Sequence, residues 1–343
     1  MQYMKAASFP GRGQVRIEEA PVPQMGEGQV LVRTRASAIC GSDKGLWEKG
    51  APGGKIAGHE GAGEVVKVGP GVKTFAPGDR VVVLAVVGCG HCRECLAGRM
   101  PYCEKSEGLA GQFAEYSVVP QSNLVSLPED ISFECGCLLS DSLGTPARAV
   151  RRSGAGEGDI AAVFGCGPIG LNCIQVLRAA DAAVIAVDPV AYRREAALRL
   201  GAREAVDPSE EDAVSRIREL TGDGPDLSFE CCGQAGRQAL RAVRRGGRVA
   251  FVGECGSLEV SPSEDFIRRH IEVFGSWYLT VRDYWRNVEL ARSGRVDPMR
   301  IVTHLLPFEV IGRGFEVFFE HKENALKVVL RFPAEQEEVS VLA

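Results

Sequence analysis

The chain has 343 residues, 45% of them hydrophobic, with a formal net charge of −5. That length allows about two domains with large cores, the composition is ordinary for a soluble globular protein, and the charge balance leaves no basic footprint for nucleic acid. No apolar run is long enough to cross a bilayer and residues 1–10 lack the charged-then-apolar pattern of an export signal, so the expected location is cytoplasmic, without membrane or nucleic-acid partners. In that reducing setting the 12 cysteines read as metal ligands or small buried hydrophobes rather than disulfides.

Residues 1–130 read as strands and turns. The segment 29–36 (QVLVRTRA) alternates, 64–68 and 80–84 are short β-branched runs, and 114–119 is a further strand. Gly69-Pro70-Gly71 and Pro77-Gly78-Asp79 supply turns between them. The pattern turns helical over 133–152 and stops near Gly154. From Asp159 onward strands and helices alternate, with strands at 160–164, 183–188, 204–206, 227–230, 248–252 and 271–275. Helices at 191–200 and 213–220 stop at Gly201 and Gly222. This alternation predicts a doubly wound parallel sheet. A helix over 283–293 leads into 301–330, which returns to complete the first lobe, and 333–343 reads as a loose acidic tail. The expected division is a β-rich domain over 1–150, completed by 285–343, and an α/β domain over 151–284.

Two sets of residues have metal-ligand character. Cys89, Cys92, Cys95 and Cys103 are spaced C-x2-C-x2-C-x7-C among glycines and charges. Four thiolates on one short loop match a closed tetrahedral zinc site, which supports folding and has no open position for catalysis. The second set is scattered: Cys40 in ICGSD, His59-Glu60 in AGHEGAGEV and Asp141 in LLSDSLGT, the last at the start of a helix. Each also has a plain structural explanation as a buried thiol, a turn histidine, a solvated charge or a cap. Spacing alone leaves both readings open.

The stretch AAVFGCGPIG carries the clearest ligand signal. A buried-strand run at 160–164 leads into Gly165, Gly167 and Gly170, with Pro168 and Ile169 among the cofactor-binding candidates of the turn, and a helix follows over 171–180. One glycine allows the tight turn, one lets the backbone approach a pyrophosphate, and one lets helix and strand pack closely, with the phosphates at the helix N-terminus. Asp188 ends the next strand about 20 residues on, where a ribose hydroxyl needs an acceptor. That carboxylate favours NAD over NADP. Arg193 and Arg194 follow it, and an arginine there either accommodates a 2′-phosphate, lies over the adenine or faces water.

With these residues assembled, the chain resembles the zinc-containing medium-chain alcohol dehydrogenases, in their polyol and sugar (sorbitol and threonine dehydrogenase-like) branch. The resemblance runs from about residue 4 to residue 330 and rests on ICGSD, GHEGAGEVVKVGPGV, PGDRV, the four-cysteine lobe, GQFAEYSVVP, VFGCGPIGL and VTHLLPFEV. It implies a GroES-like β-rich catalytic domain beside a Rossmann domain, two Zn²⁺ per chain and NAD. Cys40 and His59 fall on two catalytic zinc-ligand positions. Asp141 occupies the third, and Glu60 either binds the metal or stands just behind it. The resemblance makes Ser42 the hydroxyl that takes the substrate proton. Many relatives carry a relay histidine five residues after the ligand cysteine; Gly45 stands there, so the relay beyond Ser42 uses water, the cofactor ribose or Lys44, the last of which reads equally as a solvated surface lysine.

The implied activity is hydride transfer between a secondary alcohol (a polyol, cyclitol or sugar) and NAD. An L-threonine 3-dehydrogenase-like or simple secondary-alcohol activity is the alternative, and a non-enzymatic zinc- and nucleotide-binding sensor the alternative of another class. Relatives of this kind imply a homo-oligomer, a tetramer ahead of a dimer. Trp47 and Leu46 wall the substrate pocket or join the core. Cys231, Cys232 and Cys255 follow strands and line the cofactor crevice or pack as apolar groups, and Cys166 is a spacer in the glycine turn. Asp43 reads as structural, paired with a base such as Lys327, and His91, His270 and His321 as surface or packing residues.

Overall fold

The computed structural model describes residues 2–254 and 256–333. Cys255 and the expected loose tail from residue 334 onward lie outside the described residues. By its contacts the chain divides into two compact units, Met1–Asp141 with Val302–Ala343, and Ser142–Ile301.

The first unit is strand-rich. Its first part carries β1 (Tyr3–Gly11), β2 (Gln14–Pro21), β3 (Gln29–Ala38), β4 (Glu60–Val68), β5 (Arg80–Val83), β6 (Val86–Val87), β7 (Glu107–Gly108), β8 (Tyr116–Pro120) and β9 (Leu124–Ser126), with helices α1 (Lys44–Lys49), α2 (Arg93–Leu96) and α3 (Phe133–Ser140). The second unit holds α4 (Gly144–Ser153), β10 (Ile160–Phe164), α5 (Pro168–Ala179), β11 (Ala183–Val187), α6 (Ala191–Arg199), β12 (Glu204–Val206), α7 (Ala213–Thr221), β13 (Leu227–Glu230), α8 (Gly236–Ala242), β14 (Arg248–Phe251), β15 (Glu272–Gly275) and α9 (Val281–Arg292). The chain then returns to the first unit with β16 (Val302–Pro307), α10 (Ile311–Phe319) and β17 (Lys327–Arg331).

In the first unit a seven-stranded sheet runs β16-β17-β3-β4-β5-β9, with β8 also paired to β3. Branched side chains on its strands, Val30, Val32, Val65, Val81, Val83 and Val119, close one core; such residues suit a pleated, half-buried surface. A second, aromatic core gathers Phe9, Phe113 and Phe315, with ring centroids 5.0 Å (Phe9–Phe315) and 5.6 Å (Phe113–Phe315) apart. Trp47 stacks 6.5 Å from Phe319 and, with Leu46, packs against this cluster. Of the two roles open to these residues, the geometry supports the core.

The second unit is a six-stranded, wholly parallel sheet ordered β12-β11-β10-β13-β14-β15. Its inner strands β10 (IAAVF) and β11 (AVIAV) read as near-continuous buried apolar runs, as parallel strands covered on both faces do. The strand order reverses between β10 and β13, which makes that point the topological switch of a doubly wound fold.

Two expectations change. The single helix read over 133–152 is two, α3 and α4, broken at 141–143. Pro146 has no N–H to donate to residue 142, and its ring would collide with that carbonyl, so the helix restarts with proline in its first turn. The domain borders at 150 and 285 move to 141 and 302. Arg148 of α4 is buried, donates to Trp277 O at 3.0 Å and faces Asp283 of α9 at 3.6 Å, which ties both helices to the second unit. Among the described residues no helix is long and apolar enough to cross a membrane.

Candidate active site

Three adjacent strands and one helix end assemble the scattered set. Pairing of β3 with β4 puts Glu60 opposite Ala38, two residues before Cys40. Pairing of β17 with β3 puts Val329 opposite Ala38, so Lys327 reaches the same end of the sheet. Asp141 follows as the C-cap of α3. Gly58 makes the approach to His59 possible: its φ is +90°, and a Cβ there would lie 2.6 Å from Phe113 N.

The result is a convergence of donors. One ligand atom from each of Cys40, His59, Glu60 and Asp141 lies within 4.8 Å of all the others. His59 Nε2 is 3.3 Å from Asp141 Oδ2, which is 3.7 Å from Cys40 Sγ. Ser42 Oγ stands 3.5 Å from His59 Nε2. Asp43 accepts from Cys40 N at 2.9 Å and lies 3.5 Å from His59 Nδ1, so it orients both residues in the manner of a carboxylate behind a ligating histidine.

Lys327 is not the partner of Asp43. Its ammonium donates to Glu60 Oε1 and to Ile39 O, each at 2.8 Å, with both side chains of the Lys327–Glu60 pair fully buried. Asp43 is already committed to Cys40 and His59, while Glu60 is the carboxylate that burial would otherwise leave uncompensated. The signal for Lys327 was a lone lysine in the apolar run ALKVVL.

The electrostatics fit a cation. Burial and the charge of Asp141 push the Cys40 thiol up. Burial raises Glu60 to about 7, against the pull of Lys327. Burial opposes charge on His59, but its bonds to Asp141 and Asp43 win and raise it well above its usual value. Burial leads for Cys40 and Glu60, while the acidic neighbours add to both and carry the rise of His59. Glu60 Oε2 is buried with no hydrogen-bond partner among the described residues, as an oxygen aimed at a metal would be. A thiolate, an imidazole and carboxylates form a zinc-type donor set.

The second set is equally compact. Ligand atoms of Cys89, Cys92, Cys95 and Cys103 also lie within 4.8 Å of one another. Cys92 and Cys95 sulfurs are 3.5 Å apart and those of Cys89 and Cys95 4.0 Å. These separations are far beyond a disulfide and close to the ~3.8 Å that four 2.3 Å zinc–sulfur bonds impose. N–H groups of His91 and Cys92 pull the Cys89 thiol down to about 6, while burial and the neighbouring sulfurs push Cys95 up to about 12. A Cβ on Gly88 would lie 2.3 Å from Cys95 Sγ, which explains that glycine.

In the second unit the three glycines of the turn meet three different steric surroundings. Gly165 has φ +90° and packs on Cys232, where a Cβ would come 2.6 Å from Cys232 Cβ. A Cβ on Gly170 would fall 1.8 Å from Gly165 O. Gly167, the N-cap of α5, has nothing within 4 Å of a Cβ, so its backbone stays open to a phosphate. Pro168 opens the helix, followed by Ile169. Asp188 is buried, accepts from Cys166 N at 2.7 Å and from Val190 N at 2.8 Å, and so is tied to the turn. Arg193 Nη1 stands 4.0 Å from Asp188 Oδ2, while Arg194 is spent on Asp207 and on Asp188 O, both at 2.8 Å. Cys166 is fully buried beneath the turn, and His91, His270 and His321 are exposed. Cys231 and Cys232 follow β13.

Comparison with known proteins places the chain in a family. Residues 26–129 match the alcohol dehydrogenase GroES-like domain, and residues 168–293 match the zinc-binding dehydrogenase family. The chain is 34% identical to sorbitol dehydrogenase of Bacillus subtilis, over 96% of this chain and 97% of that protein. It is also 34% identical to L-threonine 3-dehydrogenase of Bacillus licheniformis, over 94% and 96%. A solved alcohol dehydrogenase of Escherichia coli CFT073, complexed with the cofactor NADH, superposes with a TM-score of 0.88 at 26% identity, covering 97% of this chain and all of that one. The chain belongs to the zinc-containing medium-chain alcohol dehydrogenase family and is a zinc-dependent oxidoreductase acting on alcohol or polyol CH–OH groups.

Proposed function

We propose that the chain oxidises a secondary alcohol of the polyol, cyclitol or sugar class with NAD, using two zinc ions per chain. The observation that carries this reading is the convergence of Cys40, His59, Glu60 and Asp141 on one point. Cys40, His59 and a carboxylate hold the catalytic ion; the four-cysteine loop holds the structural one. Zinc bound at the first site acidifies an alcohol hydroxyl and stabilises charge on its oxygen. Ser42 Oγ, beside His59, accepts the hydroxyl proton. Asp43 fixes the His59 ring with Nε2 facing the donor cluster. Lys327 holds Glu60 and offsets part of the site's negative charge.

Beyond Ser42 the proton passes to water or to the cofactor ribose. Gly45 offers no side chain, and a Cβ there would meet nothing within 4 Å. Lys44 is exposed and lies 3.7 Å from Glu48, one helical turn away, as a surface ion pair. Gly165, Gly167, Pro168, Ile169 and Gly170 of the second unit would hold the dinucleotide, which would supply the hydride acceptor. Asp188 accepts from the ribose diol and repels a 2′-phosphate; Arg193 lies beside it. The ratio of kcat/KM for NAD over NADP is therefore expected to exceed one, and a ratio below one contradicts the role given to Asp188.

L-threonine is the second substrate reading, supported by the threonine dehydrogenase relative. A dinucleotide-reduction screen against polyols, aldoses, inositols, aminocyclitols, L-threonine and simple alcohols tests both. Turnover of a polyol, sugar or cyclitol ahead of L-threonine is expected, and the reverse order moves the enzyme to the amino-alcohol class. We also infer a homo-oligomer, a tetramer ahead of a dimer: β15 is an edge strand of its sheet, and Val273 and Trp277 are exposed there, a surface suited to pairing. The cysteine usage supports a cytoplasmic location.

A further inference from the structure

Glu230 ends β13 at the switch point, and the chemistry above gives it no part. It is 1% exposed. Its Oε1 accepts from Cys232 N (3.2 Å), Cys232 Sγ (3.0 Å), Gln234 N (3.1 Å) and Ala235 N (3.2 Å). Burial and the bond to Glu230 push the Cys232 thiol up to about 12, which keeps it a donor. One carboxylate oxygen thus winds residues 231–235 around itself.

The wound loop fixes its two neighbours. Cys232 packs against Gly165 of the glycine turn. On the other side Val252 N and Gly253 N, just after β14, both donate to Glu230 O at 2.9 Å. A Cβ on Gly253 would lie 2.4 Å from Gly233 N and 2.8 Å from Glu230 Oε2. Oε2 itself is buried with no hydrogen-bond partner among the described residues, a costly state for a carboxylate oxygen. Glu230 is therefore the junction of three loops, those leaving β10, β13 and β14.

A dinucleotide on a doubly wound sheet crosses the switch point at the carboxyl ends of the strands. Asp188, after β11, marks the adenosine side; the loops after β13 and β14 lie on the opposite side. We propose that Glu230 is a positioning residue for the nicotinamide half of the dinucleotide, acting through the 231–235 and 252–254 backbones that it holds in register with the glycine turn. The proposal rests on reading that turn as a dinucleotide site.

Glu230→Gln keeps the shape but removes the charge that strengthens four hydrogen bonds. Binding of NADH, followed by its fluorescence, is expected to weaken about tenfold, while AMP, which carries only the adenosine half, binds as to the unaltered protein. Glu230→Asp retains the charge on a shorter arm and is expected to fall between the two. Unchanged NADH binding in both variants overturns the proposal, as does an equal loss of AMP and NADH, which marks a purely structural role. Failure of the unaltered protein to bind either ligand overturns the dinucleotide reading and the proposal with it.

Discussion

His59→Ala is expected to lower kcat/KM by about a thousandfold or more, roughly 4 kcal/mol of transition-state stabilisation, and to leave NADH binding unchanged. The reason lies in how the donors are arranged. His59 Nε2 faces Asp141 while Nδ1 faces Asp43, so the ring is fixed from both sides. On the proposed reading, removing it takes away the nitrogen donor of a set whose other members are a thiol and two carboxylates. The glycine turn, proposed to bind the dinucleotide, belongs to the other compact unit and shares no residue with this site. Steady-state kinetics on zinc-saturated protein, with NADH binding measured in parallel, check both halves of the expectation. Wild-type-like turnover in the variant would contradict the assigned site.

Lys327→Met is expected to destabilise the first unit by about 3–5 kcal/mol, the cost of leaving one member of a buried ion pair without its partner. The ammonium is enclosed, donates to Glu60 Oε1 and Ile39 O, and has β3 and β4 on its acceptor side. Burial disfavours its charge, yet Glu60 and Cys40 hold the lysine above its usual pKa. In calorimetry the variant's transition should fall by about 10 °C. Adding Glu60→Gln to Lys327→Met should recover part of that loss, because the double variant no longer buries an unpaired charge. A single variant that melts within a degree or two of the unaltered protein would show that the pair contributes little.

Much of this architecture was legible in the chain. Strands 160–164, 204–206 and 227–230 coincide with β10, β12 and β13; β10 was legible because a parallel strand covered on both faces shows as a short apolar run. The glycine turn was legible for the same local reason: three glycines with three separate steric duties lie within six residues. The four-cysteine loop needed only its spacing. What resisted reading was long-range pairing. Lys327 meets Glu60 from 267 residues away, and nothing local separates Glu60 from Asp43 as its partner. Glu230 stood at the end of an apolar strand, but the loop that wraps its oxygen has no side-chain signature, since two of its donors are the backbone N–H groups of Gln234 and Ala235. The break between α3 and α4 was announced by Pro146; helical composition on both sides of it masked the stop.

The most direct test of the central claim is an anomalous difference map collected at the zinc edge from crystals of the purified protein. Two peaks per chain are predicted, one amid the four-cysteine loop and one within about 2.0–2.3 Å of Cys40 Sγ, His59 Nε2 and a carboxylate oxygen of Glu60 or Asp141. A peak at the four-cysteine loop alone, with Cys40 and His59 turned away from each other, would contradict it.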